Sequence, residues 1–182
     1  LGGNLQSDVG YTVRVNGVQD EAGNTIATNS TRTFTFSTVQ VTPIATIQAN
    51  PSAFDGQVVT IEGQVFVPAN YRAPTYSGYI QDGSGRGINL FGSTANNPVL
   101  FDVANIVRVT GTVDIFFTTV EITSLSEVTL VSSGNPPLQP AQLSTGAAAS
   151  SAWEGTFIEV TGAITLATPS GPGTNYTTND GS

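Results

Sequence analysis

The stretch FDGQVVTIEGQV at residues 54–65 occurs twice in this chain, because WEGTFIEVTGAI at residues 153–164 aligns with it without a gap. In both copies valine and isoleucine alternate with threonine and glutamate, and this period of two predicts a strand with one buried face. A glycine interrupts each strand, at Gly63 and at Gly162. A glycine inside a strand marks a bend or the close approach of another backbone. We therefore expect two copies of one β-module.

The sequence around the first copy continues as short apolar strands separated by loops rich in glycine and proline. No part of the chain has a long helical period, and we therefore predict an all-β fold. In the first module we predict a helical turn at residues 44–54, strands at residues 56–67, 77–82, 87–91, 106–113 and 120–131, and a short helix at residues 97–103.

A long bent first strand, a hairpin, a small helix between strands three and four, and two closing strands follow the order of an OB-fold. Residues 44–131 resemble the OB-fold domains of secreted bacterial proteins, including modules attached to extracellular nucleases and surface proteins. The resemblance lies in four blocks, GQVVTIEG at 56–63, GYIQDG at 78–83, GINLFG at 87–92 and VRVTGTV at 107–113. It implies one complete five-stranded OB-like barrel.

A proline-rich linker, SSGNPPLQP at residues 132–140, follows this module, and residues 141–182 then begin the second copy. QDGS at residues 81–84 is echoed by NDGS at residues 179–182. We expect the second OB-like barrel to lack strands three to five. The chain would then be part of a longer modular protein, or a subunit that a neighbour completes.

Residues 1–38 have a different pattern and are joined to the first module by a short connector at residues 39–43. They contain a strand at residues 11–18, the turn DEAGN at residues 20–24 and the strand TFTFST at residues 33–38. This pattern resembles the C-terminal half of a bacterial Ig-like domain family found in S-layer and other secreted proteins. The resemblance implies a partial Ig-like sandwich, in a family whose members serve mainly as spacers and wall-associated modules.

The composition limits the chemistry that this chain can perform. It has no cysteine, histidine, methionine or lysine, and thirteen acidic residues stand against five arginines, which gives a net charge of −8. Because thiol nucleophiles, disulfides and the common zinc ligands are missing, we predict a non-catalytic protein without a cofactor or a bound metal. No apolar run is long enough for a membrane helix. The acidic, threonine-rich surface favours an extracellular or cell-surface location.

Carboxylates remain available in the first module, and glycoside hydrolysis needs only two of them at a suitable separation. They are Asp82, Asp102, Asp114, Glu121 and Glu127. No spacing selects a pair, so we predict no catalytic residue. The segments DEAGN at residues 20–24 and DGSG at residues 82–85 are interpreted as turns rather than calcium loops, because the further oxygen ligands are missing.

An OB-fold binds nucleic acids or oligosaccharides on the face of its second and third strands and on its rim loops, with aromatic side chains as stacking platforms. The candidate ligand-binding residues are Tyr71, Tyr76, Tyr79, Asn89 and Phe91. The negative charge argues against nucleic acid, because single strands are held largely by lysine and arginine. A glycan is compatible with this charge. Alternatively, the tyrosines pack against loops and the arginines pair with acidic residues.

Two further expectations concern single residues. Trp153, the only tryptophan, aligns with Phe54 and is expected to fill an equivalent core position. Asn29 and Asn175 each begin an N-x-S/T triplet and are candidates for glycosylation in a surface protein.

From these observations we expect a non-catalytic structural or adhesive segment of an extracellular surface protein or filament. Its partners would be neighbouring modules of the same chain or further copies of itself, and it would not insert into a membrane. The alternative function is an OB-fold module that binds oligosaccharide or single-stranded nucleic acid and is accessory to a secreted hydrolase or nuclease.

Overall fold

A computed structural model of the protein describes residues 5–92, 97–171 and 173–181. The backbone forms two compact units, one up to Gln40 and one from Val41 onward. Strands are the main secondary structure of both units, which confirms the predicted all-β fold.

The first unit is an antiparallel hairpin of β1 (Val9–Val15) and β2 (Ser30–Phe36). Its apolar side chains alternate with threonine and arginine as predicted, but the described part of this unit has no buried core beneath them. Val13 and Phe34 are 48% and 42% exposed. The Ig-like sandwich that the sequence resembles therefore stays a prediction.

The second unit contains a closed five-stranded barrel in which the strands follow the order β3-β4-β5-β7-β6. The strands are β3 (Val58–Val67), β4 (Ser77–Gln81), β5 (Gly87–Phe91), β6 (Ile106–Phe116) and β7 (Thr119–Ser132). Neighbours are antiparallel except β5 and β7, which are parallel. Between β5 and β6 the chain forms a 3₁₀ turn, Pro98–Leu100, where the sequence predicted a short helix. This arrangement confirms the prediction of an OB-like barrel.

The core of the described residues lies entirely in this barrel, between Ile44 and Leu125. Alternation along β3 directs Val59, Ile61 and Val65 inward, as expected for a strand with one buried face. Two short helices precede β3, α1 (Ile44–Ala49) and α2 (Pro51–Phe54), and α1 adds Ile44 and Ile47 to the core.

The second copy forms its own elements after the linker. In it, β8 (Ala141–Leu143) pairs in parallel with β9 (Ile158–Val160), and β10 (Ala163–Ser170) forms an antiparallel hairpin with β11 (Gly173–Asn179). Between β8 and β9 lie α3 (Thr145–Ala148) and the 3₁₀ turn Ser151–Trp153.

The repeated glycines perform the same task in both copies. A Cβ atom added to Gly63 would lie 2.8 Å from the carbonyl oxygen of Gln81 on β4, and one added to Gly162 would lie 3.0 Å from the carbonyl oxygen of Asn179 on β11. A side chain would therefore collide with the backbone of the partner strand. Gly63 therefore allows β3 to lie close to β4, and Gly162 allows the chain just before β10 to lie close to β11.

The aspartate of the repeated Asp-Gly-Ser segment also has the same role in both copies. Asp82 Oδ2 accepts a hydrogen bond of 2.8 Å from the Ile44 amide at the start of α1, and Asp180 Oδ2 accepts one of 3.0 Å from the Thr145 amide at the start of α3. Each aspartate satisfies an amide that the helix itself leaves without an acceptor. The second copy thus repeats both the strands and the helix cap of the first.

The second copy differs from the first in burial. Its described residues contain no buried apolar side chain, and Ile164 on β10 is 64% exposed. By contrast, Val65, which aligns with Ile164, lies in the barrel core. None of the described helices has the length and the apolar content needed to cross a membrane.

Candidate functional site

The three candidate tyrosines occupy different environments. Tyr71 lies in the 3₁₀ turn Ala69–Arg72 of the loop between β3 and β4 and is 79% exposed. Tyr76, at the end of the same loop, stacks on Phe101 at a ring distance of 6.1 Å and packs against the core. Tyr79 is half-buried on β4, beside Phe66 at 5.9 Å. The three rings do not form one stacking platform.

The two candidates on β5 also differ. The Asn89 side chain is buried, and its amide nitrogen donates hydrogen bonds of 2.9 Å to Ser77 Oγ and 3.2 Å to the Gly78 carbonyl. Phe91, at the end of β5, is 38% exposed and borders a surface cleft. Ligand binding by these residues stays a prediction.

Both glycosylation candidates are exposed asparagines. Asn29 precedes β2 and has a positive φ of 61°. Its backbone amide donates a 2.6 Å hydrogen bond to Asn16 Oδ1. Asn175 lies on β11 opposite Thr168. Glycosylation of Asn29 and Asn175 stays a prediction.

The two segments interpreted as turns use their carboxylates to hold backbone amides. Asp20 Oδ1 accepts hydrogen bonds from the amides of Ala22 and Asn24, at 3.0 and 2.8 Å. Hydrogen bonds from the side chain and the backbone of Asn24 lower the pKa of Asp20. Asp82 Oδ1 accepts hydrogen bonds from both the amide and the hydroxyl of Ser84. Both aspartates thus act as hydrogen-bond acceptors within turns.

A segment of the second copy lies directly on the barrel. We call residues 153–157 the docking segment. The Phe157 amide donates a 2.9 Å hydrogen bond to Gln81 Oε1 on β4, and the Gly87 amide on β5 donates a 3.1 Å hydrogen bond to Thr156 Oγ1. Phe157 also stacks on Phe66 of β3 at 5.6 Å. The docking segment therefore covers part of the outer face of β3, β4 and β5.

Trp153 takes part in the same contact, and this corrects the expectation that it fills a core position. The side chain is half-buried, and the guanidinium carbon of Arg86 lies 3.6 Å from the centre of its ring. Such a cation–π contact contributes about 0.5–2 kcal/mol. Phe54, its counterpart in the first copy, packs against the barrel core instead. Of the arginines expected to pair with acids, Arg108 does so, with Glu62 at 2.7 Å.

The linker approaches the barrel near the docking segment. The side-chain amide of Gln64 on β3 donates a 2.9 Å hydrogen bond to the Pro136 carbonyl, and the Asn135 side-chain amide donates a 2.8 Å hydrogen bond to the Ala104 carbonyl. These bonds hold the linker against the barrel surface. The second copy is therefore connected to the barrel both through the linker and through the docking segment.

A second surface feature lies on β5, β6 and β7, beside the point where the Val120 amide donates a 3.4 Å hydrogen bond to Glu154 Oε2 of the docking segment. It is a cleft of about 380 Å³, which we call the carboxylate cleft. Six of the residues that line it are Phe91, Asp114, Phe116, Glu121, Thr123 and Ser124. Asp114 on β6 and Glu121 on β7 are direct cross-strand partners. The barrel thus places two carboxylates side by side in a depression with aromatic residues at its border.

Both carboxylates were among the five candidates named from the sequence, but their position next to each other was not predicted. A two-residue turn after Phe116 makes Asp114 and Glu121 face each other, and this register depends on the turn type. The available sequence signal was a pair of acidic residues placed symmetrically around FFTT at residues 116–119. The hairpin was not predicted with this register, so the pair was missed.

Burial raises the pKa of Glu121, and the negative charge of Asp114 raises it further. Asp114 is the charged group that faces Glu121 from β6, and the partner on β5 is the neutral Asn89. A raised pKa in the folded state means that ionisation of Glu121 opposes folding. This cost is absent below the ordinary glutamate pKa of about 4.3, grows as the pH rises above it, and is complete above the raised pKa of the folded state.

Replacing Glu121 by glutamine is therefore expected to stabilise the barrel at pH 7 to 8 by about 0.2–1 kcal/mol, the usual cost of opposed like charges across two strands. At pH 4 the substitution should have little effect. Urea unfolding at both pH values measures the difference, with Glu127→Gln on the exposed part of β7 as the control. An equal gain at both pH values would show that the charge is not responsible.

No protein-family model matches the chain, and no curated protein matches it either. Among solved structures, the chain is similar to the hypothetical protein YgiW from E. coli, with 26% sequence identity and a TM-score of 0.39. The match covers 50% of this chain and 90% of YgiW.

Proposed function

We propose that the chain is a non-catalytic structural segment of an extracellular surface protein or filament, in which OB-like modules are held against one another. The observation that carries this proposal is the docking segment, which joins the second copy to the barrel through backbone, side-chain and aromatic contacts. A flexible linker alone would leave two modules free to move. The docked arrangement instead suits a spacer or an adhesive stalk.

Two features support the extracellular part of the proposal. The chain has no cysteine and no lysine, and it contains more threonine, serine and asparagine than charged residues. Neighbouring modules, or further copies of the chain, would be its partners. Immunolabelling of intact cells would test the location, and labelling only after permeabilisation would contradict it.

The alternative, a module that binds oligosaccharide or single-stranded nucleic acid, needs a surface that the second copy leaves free. The net charge of −8 opposes nucleic acid, since phosphate neutralisation supplies most of the affinity for single strands. Part of the face formed by β3, β4 and β5 is occupied by the docking segment. The carboxylate cleft is not, and it is the observation that favours the oligosaccharide version of this alternative.

Replacing Gly87 by alanine tests the docked arrangement. The added Cβ atom would collide with the carbonyl oxygen of Gly155, so the docking segment must move away or distort. Overpacking of this kind costs about 1–3 kcal/mol. We expect Trp153 to lose its contact with Arg86, and the fluorescence of this only tryptophan to shift to the red and become more accessible to acrylamide.

Gly83→Ala is the matched control, because Gly83 lies in the same β4–β5 turn region and an added Cβ atom there meets nothing within 4 Å. This variant should keep the tryptophan spectrum of the unmodified chain. If acrylamide already quenches Trp153 in the unmodified chain as readily as it quenches free tryptophan, the docked arrangement is absent in solution and the proposal fails.

A further inference from the structure

The carboxylate cleft contains two acidic side chains whose oxygen atoms are not hydrogen-bonded to any other described residue. Glu121 is 7% exposed, and among the described residues neither its carboxylate nor that of Asp114 accepts a hydrogen bond or forms an ion pair. The ion pair between Arg108 and Glu62 lies elsewhere on the barrel. No buried side-chain oxygen atom of the described residues lacks a hydrogen-bond partner, so the oxygen atoms of both carboxylates are open to the cleft. They can therefore accept hydrogen bonds from donors outside the chain.

The border of the cleft is aromatic. Phe116 is 60% exposed and Phe91 is 38% exposed, and both line the depression. Phe117 follows in the turn and packs edge-on against Phe116 at a ring distance of 4.7 Å. Exposed aromatic side chains that cluster beside polar groups mark ligand-binding surfaces. Their faces can stack on the apolar face of a sugar ring or attract a cation.

Hydroxyl groups complete the lining. Thr123 Oγ1 donates a 3.3 Å hydrogen bond to the Thr112 carbonyl, which leaves its lone pairs free to accept. Ser124, next along β7, is exposed at the edge of the cleft. The set therefore combines two carboxylates, two hydroxyls and two aromatic rings within one depression of about 380 Å³.

The charge of this set selects among possible ligands. Phosphates and sugar acids would be repelled by Asp114 and by the overall charge of −8. A neutral sugar would satisfy the hydroxyls but would leave two adjacent carboxylates without a positive partner. A ligand that carries both a sugar ring and an ammonium group matches the carboxylates, the hydroxyls and the aromatic rings of the lining.

We propose that the carboxylate cleft binds an oligosaccharide that contains amino sugars with free amino groups. The ammonium group lies between Asp114 and Glu121, the pyranose ring stacks on Phe116 and Phe91, and sugar hydroxyls bond to Thr123 and Ser124. This inference deepens the oligosaccharide alternative and does not require the docking segment, because none of the residues that line the cleft belongs to residues 153–157.

Isothermal titration calorimetry with the full chain tests the proposal, using a hexamer of glucosamine and the corresponding hexamer of N-acetylglucosamine. We expect the free-amine hexamer to bind and the acetylated hexamer to bind at least about tenfold more weakly, since acetylation removes the charge. Asp114→Asn should weaken binding of the free-amine hexamer by about tenfold or more, the usual effect of losing a charge-assisted hydrogen bond.

Two variants separate a specific site from general attraction to an acidic protein. Glu127→Gln removes the same charge from an exposed position of β7 and should leave the affinity unchanged. Phe116→Leu keeps an apolar side chain but removes the ring, and should weaken binding. The proposal is overturned if the free-amine hexamer does not bind, if both hexamers bind equally, or if Glu127→Gln weakens binding as much as Asp114→Asn. Tryptophan fluorescence, which reports on docking, should not change in any of these variants.

Discussion

Replacing Ile61 by alanine is expected to lower the free energy of unfolding of the barrel by about 2–5 kcal/mol. Ile61 lies in the middle of β3, is completely buried and faces the single core of the described residues. The substitution removes apolar contacts and leaves a cavity that the closed barrel can fill only partly. Urea unfolding followed by far-ultraviolet circular dichroism measures this loss.

The same change at Ile164 provides the comparison. Ile164 lies on β10, which corresponds to the second half of β3 in the repeat, but its side chain is 64% exposed. Ile164→Ala should change the stability by less than about 0.5 kcal/mol, as is usual for a surface position. Equal losses for the two variants would mean that the second copy has a core of its own in solution.

Replacing Gly63 by alanine is expected to destabilise the barrel by about 1–3 kcal/mol. The new Cβ atom would lie 2.8 and 2.9 Å from the carbonyl oxygen and carbon of Gln81, and these backbone atoms cannot move without breaking the β3–β4 pairing. The predicted effect arises from this close approach, because Gly63 does not require a positive φ. The unfolding midpoint in urea should fall accordingly.

Gly162→Ala gives a similar collision, 3.0 Å from Asn179, but in a hairpin that lies outside the barrel core. We expect faster hydrogen exchange in β10 and β11 and an unchanged unfolding midpoint of the barrel. Gly83→Ala, where the added atom meets nothing, should be neutral in both measurements. A neutral Gly63→Ala variant would contradict the close approach.

The fold was predictable because its determinants are local in the sequence. The alternation along residues 58–67, the glycine-rich turns and the order of the strands predict a barrel of this type, and the structure confirms it. The role of Trp153 was not predictable from its alignment with Phe54. Trp153 contacts Arg86, whereas Phe54 packs against the barrel core. This difference depends on where the second copy lies, which the repeat pattern in the sequence does not show.

The surfaces were harder to predict than the fold. Tyr76 and Asn89 were selected for residue type and strand position, yet Tyr76 packs against the core and Asn89 bonds to its own sheet. Asp114 and Glu121 were among the five carboxylates considered, but their contact was not predicted, since cross-strand contact depends on the register of the hairpin. The sequence shows which reactive or polar residue types are present. Which of them lie close together depends on the tertiary structure.

The cap that Asp82 provides for α1 has a consequence for the order in which this chain folds. Ile44 and Asp82 are 38 positions apart, and their counterparts Thr145 and Asp180 are 35 apart. A helix of six residues is too short to form alone, and its first amide finds this acceptor only after β3 and β4 have come together. The helix should therefore appear late, after the hairpin, and each module should acquire its structure as one event dominated by long-range contacts rather than growing from a helical nucleus.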